Sequence, residues 1–147
     1  MKVLQVITSL KRASGGSTFC GGLSNALAAQ GHEVTVAVSR RNILGDIYPF
    51  TNGVRLEAFE RVIDSKENFD VVHIHGIWEW PDHQAAIWAR KRNIPYVIST
   101  HGSTAPWAMK HRWWKKAPLW GLFFERDLKN AAFIHVTAEA EARWNRD

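Results

Sequence analysis

The chain has 147 residues, 46% of them hydrophobic, and a formal net charge of +5. That length suits one domain with a single core, and the apolar content excludes a disordered chain. Apolar runs fall far short of the roughly 20 residues that span a bilayer. Lys2 is followed by a strand-like run rather than a leader, so no signal peptide is expected. The single cysteine, Cys20, cannot form an internal disulfide, which favours a reducing compartment, and it reads as a small apolar residue on a helix. The positive excess points toward polyanions: phosphates, anionic lipid or nucleic acid.

In chain order, apolar runs at 3–7, 34–38, 71–74, 96–98 and 133–136 are short and nearly continuous. Such runs predict strands covered on both faces. Residues 54–59 instead alternate Val54, Leu56 and Ala58 with Arg55 and Glu57, which predicts an edge strand with one wet face. A helix follows the first strand, with Phe19, Leu23, Ala26, Leu27 and Gln30 along one face and Gly31 as its stop. A second starts at Pro81 with Ala85, Trp88 and Ala89 inward. A third covers 117–131, with Trp120, Phe123, Phe124, Leu128 and Ala131 on one side, and a last begins near Ala138. Strand and helix in alternation define the fold class: α/β, a Rossmann-like doubly wound, mostly parallel sheet with helices on both faces. Ligands of such sheets sit at the carboxyl ends of the strands.

Chemistry is therefore expected where each strand ends. The first runs into a polar loop, 8–17, whose Gly15 and Gly16 let backbone N–H groups approach an anion at a helix start. This loop is neither GxGxxG nor a P-loop, and a plain connecting turn is the competing reading. The fourth strand ends in His73-Ile-His75-Gly76-Ile-Trp78, which places both imidazoles on one face. An HxH pair also opens metal-dependent hydrolases. A catalytic metal needs a third protein ligand, and His101 and Asp82 stand at no recognised metal spacing, so no metal is assigned. The fifth strand ends in Thr100-His101-Gly102, and the sixth in Thr137-Ala-Glu139, where helix capping suffices as an explanation. Two His-Gly pairs closing successive strands opposite a glycine loop form a ligand rim.

At this point the chain resembles the group 1, or family 4, GT-B glycosyltransferases along essentially its whole length. The resemblance rests on Gly15-Gly16, on the run from Leu27 through Gly31 to Val36, and on Asp70 through His75-Gly76. It continues in Pro95 through His101-Gly102, Pro106-Trp107, and Arg126 through Val136-Thr-Ala-Glu139-Ala-Glu141. It departs from the family at Ser17-Thr18, where a basic residue usually follows the glycines.

The resemblance implies an N-terminal, acceptor-side domain of a two-domain enzyme, with residues 1–147 ending before the donor-binding half. It implies no cofactor, a nucleotide-sugar co-substrate, retention of configuration, and a glycan, sugar or lipid-linked sugar acceptor in polysaccharide or lipopolysaccharide synthesis. His101 then lies beside the reacting sugar as the catalytic candidate. Gly15, Gly16, Ser17, His75, Gly76, Trp78, Gly102, Thr137 and Glu139 are the substrate-binding candidates.

Two other classes stand beside this one: a non-catalytic recruiting subunit, and a metal-dependent hydrolase, for which 147 residues cannot supply the usual β/α barrel. Nucleic acid is not expected as a partner, since no recognition motif accompanies the charge. Trp107, Lys110, Arg112, Trp113, Lys115 and Lys116, with no acid among them, predict either docking at an anionic inner-membrane face or ordinary packing within solvated lysines. The expected location is cytoplasmic, peripheral to that membrane.

Overall fold

The structure, a computed structural model, describes residues 1–12, 14–39, 47–111 and 113–144, with the backbone alone at Trp113, Lys115 and Lys116. Its centre is a six-stranded sheet in the order β3-β2-β1-β4-β5-β6, with every pairing parallel. The strands are β1 (Lys2–Ile7), β2 (Glu33–Val38), β3 (Val54–Ala58), β4 (Val71–His75), β5 (Tyr96–Ser99) and β6 (Phe133–His135). The chain winds outward from β1 to β3, then returns to β4 on the other side of β1. The strand order therefore reverses between β1 and β4, where a crevice opens at the carboxyl ends.

The helices are α1 (Gly15–Ala29), α2 (Phe59–Asp64), α3 (Trp80–Lys91), α4 (Pro106–Lys110), α5 (Trp113–Leu119), α6 (Glu125–Lys129) and α7 (Glu139–Trp144). The larger core joins Leu4, Val6, Val72, Ile74 and Ile98 to Phe59, Val62, Ala85 and Ala89. A smaller one gathers Ile7, Leu10, Cys20, Val36 and Val38. Each fully buried Leu, Ile or Val contributes about 1.5–3 kcal/mol against exposure. Buried Asp127 of α6 ties the flank together, accepting from Arg90 Nη1 at 2.7 Å and bonding His83 Nδ1 at 2.5 Å. Its carbonyl accepts the Tyr96 hydroxyl at 2.6 Å.

Four expectations need correction. First, α1 buries Ser17, Cys20, Gly21 and Ser24, while Ala26 and Gln30 are exposed and Phe19 is half-buried. Small residues at i, i+3, i+4 and i+7 let the helix lie close to the sheet, which outweighs the larger apolar stripe beside them. Second, β6 is an edge, and its Phe133 is 73% exposed. Third, the helix expected at 117–131 begins at Trp113 as α5, which contains Pro118, and passes through a π-helical turn, Trp120–Phe124, into α6. Proline removes an amide donor from the ladder, and a widened turn accommodates the irregularity that follows. Fourth, Phe59 starts α2 rather than ending β3.

The loop after β1 is held down rather than free. Leu10 is fully buried, and its carbonyl accepts Tyr48 N–H at 3.1 Å. The stop at Gly31 is a Schellman ending: φ is +85°, Gly31 N bonds Ala28 O at 3.0 Å, and His32 N bonds Leu27 O at 3.1 Å. Cys20 is fully buried, and burial pushes its thiol up to about 12 against a smaller lowering by its Ser24 hydrogen bond, which keeps it unreactive.

A Cβ added at Gly21 would fall 2.0 Å from the Tyr48 ring. Gly21→Ala is therefore expected to destabilise by about 1–3 kcal/mol through overpacking, read as a lowered midpoint in urea unfolding with an unchanged slope.

Candidate functional site

Parallel register brings the chemistry together. Gln5 lies opposite His73, His75 opposite Ser99, and Ser99 opposite His135. These side chains project from one face of the sheet, and Phe19 of α1 packs against the imidazoles, 5.0 Å from the His135 ring and 5.5 Å from His101. The rings of His73 and His75 stack at 4.2 Å, and those of His75 and His101 at 5.4 Å.

Their nitrogens are hydrogen-bonded to one another and to the sheet. His75 Nε2 meets Gln5 Oε1 at 2.6 Å, and His75 Nδ1 meets His101 Nε2 at 3.2 Å. Ser99 Oγ bridges His73 Nε2 at 2.7 Å and His135 Nδ1 at 3.0 Å. With Gln5 Oε1 as acceptor, His75 Nε2 carries the proton, so its Nδ1 accepts from His101 Nε2–H. Burial, reinforced by the neighbouring imidazoles, lowers His73 to about 4 and holds His75 well below its ordinary value. Burial also lowers His101, partly countered by Glu141. All three rings are neutral near pH 7.

Above this layer is a cleft of about 370 Å³, walled by the loop after β1, the turn after β4 and the turn after β5. Of the residues singled out in the sequence, Gly16, His75, Gly76, Trp78 and His101 line it. Gly15, Ser17 and Gly102 flank it, Ser17 being buried with its hydroxyl donating to Ser9 O at 3.0 Å. Thr137 and Glu139 are not among its walls. Thr137 donates both its N–H and its hydroxyl to Glu141, and Glu139 pairs with Arg143 at 2.9 Å. A second hollow, about 420 Å³, lies among α4, α6 and α7 and is walled mainly by apolar side chains such as Trp120, Leu128, Ile134 and Trp144. It is away from the imidazoles, and the cleft at the strand ends is the one with converging polar groups.

Sequence reading missed Thr8, Glu79 and Asp82 as cleft residues, and Gln5 as the partner of His75. Asp82 is buried in the wall, where burial raises its carboxyl to about 7 against hydrogen bonds from Glu79 N–H and Thr8. Its Oδ2 lies 2.6 Å from where a Cβ would sit on Gly76, whose φ of +142° already demands glycine. A signal was present: Glu79 and Asp82 form a reciprocal capping box at the start of α3. Gln5 carried no such signal, since a glutamine within an apolar strand reveals its partner only through register.

Among the described residues no group of three or more His, Cys, Asp or Glu side chains is arranged to hold a metal ion. The HxH nitrogens are engaged by Gln5, Ser99 and His101 instead.

A reversed-order parallel sheet with a polar cleft at the switch point defines a Rossmann-like α/β domain. The model of Glycosyltransferase Family 4 matches residues 13–147, and the chain belongs to that family. No curated protein matches the chain in sequence. Among solved structures it is similar to an alpha-glucosyltransferase in complex with UDP, at 14% identity and a TM-score of 0.54, covering 94% of this chain and 35% of that one. It is also similar to a putative UDP-N-acetylglucosamine 2-epimerase from Listeria monocytogenes, at 15% identity and a TM-score of 0.58, covering 99% of this chain and 40% of that one. At such identities the likeness is one of fold. The chain thus spans well under half of either structure.

The titrating groups have opposed pH signatures. A histidine lowered in the fold takes up its proton on unfolding, so its contribution to stability is lost as pH falls from about 6.5 toward about 4, on the order of 3 kcal/mol for His73 alone. Asp82, raised in the fold, releases its proton on unfolding, so its effect over the same window has the opposite sign. Three lowered imidazoles outweigh one carboxyl. Stability should therefore fall on acidification below about pH 6.5, and Asp82→Asn should steepen that fall, as measured by urea unfolding from pH 7 to 4.5.

Proposed function

We propose that this chain is the acceptor-side, N-terminal half of a GT-B glycosyltransferase that moves a sugar from a nucleotide-sugar to a glycan or glycolipid acceptor. The observation that carries the reading is the cleft at the β1/β4 switch point, where the neutral His101 stands beside the open start of α1. Ser14, at the N-cap, makes no side-chain capping bond, and the first turn of α1 holds no acid, so its N–H groups suit a phosphate or a sugar hydroxyl. Neutral imidazole donates and accepts hydrogen bonds without adding a charge, which suits a group placed beside a reacting sugar. Trp78, backed by Trp120 at 5.6 Å and Phe124 at 5.3 Å, offers an aromatic wall for the apolar face of a sugar.

Transfer needs the leaving phosphates and the acceptor held in one geometry. This domain supplies one wall of that cleft, and the family's second, donor-binding half supplies the other. The chain alone should then show negligible transfer. In a protein joining both halves, His101→Ala should cut kcat by about 100-fold or more with little change in thermal midpoint. Equal losses of turnover and stability would reduce His101 to a packing residue.

We propose further that the face bearing α4 and α5 rests on an anionic membrane surface, at the cytoplasmic side if the acceptor is lipid-linked. Exposed aromatic and aliphatic side chains support this: Trp107 is 73% exposed, Trp114 63% and Leu122 67%. Lys110 and His111 are exposed beside them. Arg112 lies outside the described residues, as do the side chains of Trp113, Lys115 and Lys116. No described helix is long and apolar enough to cross a membrane. Each cation near an anionic leaflet is worth about 1 kcal/mol, so binding should be weak and salt-sensitive. Co-sedimentation with anionic vesicles at low salt, lost at high salt and with neutral vesicles, is the expected outcome; no binding under any condition would leave this face as ordinary domain surface.

A further inference from the structure

Glu141 of α7 is buried, and among the described residues four donors meet its carboxylate. Oε1 accepts the Thr100 hydroxyl and, at 2.6 Å, Gly102 N–H. Oε2 accepts Thr137 N–H at 3.0 Å and the Thr137 hydroxyl at 3.2 Å. One oxygen thus serves the start of α7, as a helix-initiating acid commonly does. The other is committed to a different loop, on the two residues that flank His101.

That loop needs holding. His101 has φ +47°, a left-handed conformation unfavourable for a side chain with a Cβ, and Gly102 follows at φ +77°. The turn is closed by Ser103 N to Thr100 O at 2.9 Å and Ala105 N to Gly102 O at 3.0 Å. These bonds fold the loop back but leave Gly102 N–H to Glu141. A carboxylate binding both neighbours of His101 fixes the direction in which its ring leaves the backbone, toward Nδ1 of His75 and the cleft.

From this geometry we infer that Glu141 is a positioning residue for His101: it clamps the Thr100–Gly102 turn in its left-handed form and sets a negative charge beside the ring. The role rests on the reading of His101 as the cleft's reacting-side group. Burial alone would raise the Glu141 carboxyl, but its four hydrogen bonds hold it below the usual carboxylate range, so it is ionised. The ring of His101 faces His75 from β4, Gly16 and Phe19 from α1, and feels His135 from β6. Burial is the largest influence on it and lowers its pKa, Glu141 opposes that, and His135 adds to it. Loss of the Glu141 charge therefore lowers the His101 midpoint further. A carboxylate that merely anchored α7 would leave it unmoved.

The test is an NMR titration of the isotope-labelled chain, following the Glu141 carboxyl carbon, the Gly102 amide and the His101 ring. In the wild type, the Gly102 amide resonance should move with Glu141 protonation, at a midpoint below the ordinary glutamate range. In Glu141→Gln, Gly102 amide exchange should quicken about tenfold or more, the effect of losing a charge-assisted hydrogen bond, and the His101 midpoint should drop. A folded Glu141→Gln protein with Gly102 exchange and His101 titration as in the wild type would overturn the inference. If that variant does not fold, the wild-type titration decides, and a Gly102 amide indifferent to Glu141 overturns it equally. None of these readouts needs turnover. Full transfer activity in His101→Ala would sink the site reading and leave the clamp standing.

Discussion

A buried imidazole such as His75 must be uncharged and hydrogen-bonded, and most of the site's construction follows from that requirement. A buried polar group without a partner costs on the order of 1–3 kcal/mol, and a buried charge more. Here β1, β4, β5 and β6 point Gln5, His73, His75, Ser99 and His135 at α1, where an α/β sheet would ordinarily carry aliphatic side chains. The imidazoles and Ser99 are bonded to one another and to Gln5 Oε1, while the buried Gln5 Nε2 has no partner among the described residues. Phe19 then closes the layer from the helix side with ring contacts to all four imidazoles, including His101.

Such a layer gives the cleft a rigid floor. His75 belongs to the floor and the wall at once, since one nitrogen meets Gln5 in the interior and the other meets His101 at the rim. A ring held on a strand end is placed more reproducibly than one on a free loop. The loops above are restrained as well: Leu10 plugs the first into the smaller core, Asp82 supports the second, and Glu141 holds the third. Each wall of the cleft is therefore tied to a buried group.

Much of this was legible before folding was considered. Apolar runs and their alternation with helical patterns located all six strands to within a residue or two, and the break in pattern at Arg55 and Glu57 marked β3 as an edge. The two His-Gly pairs and Gly15-Gly16 marked the rim, because strand ends in a parallel sheet share one side. Less legible was the face that α1 buries. Leu23 and Leu27 looked like part of an inward stripe with Phe19; Phe19 does reach the sheet, but the closest packing went to Ser17, Cys20, Gly21 and Ser24, a choice that depends on the shape of the sheet and on Tyr48 from a distant loop.

By itself, then, the sequence determined the class of the fold, the order of its elements and the edge on which the polar strand-end residues gather, since those follow from periodicity and from the handedness of crossovers. Tertiary structure decided which side chains meet. Gln5 and His75 are distant in the chain and become neighbours only through the pairing of β1 with β4. Asp82, weighed in the sequence only as a metal ligand, became a cleft wall, and Glu141 became the support of His101. The physical reason is common to all three. Local sequence sets backbone preference over a few residues, whereas the partner of a buried polar group is chosen by strand register and loop closure across the whole chain.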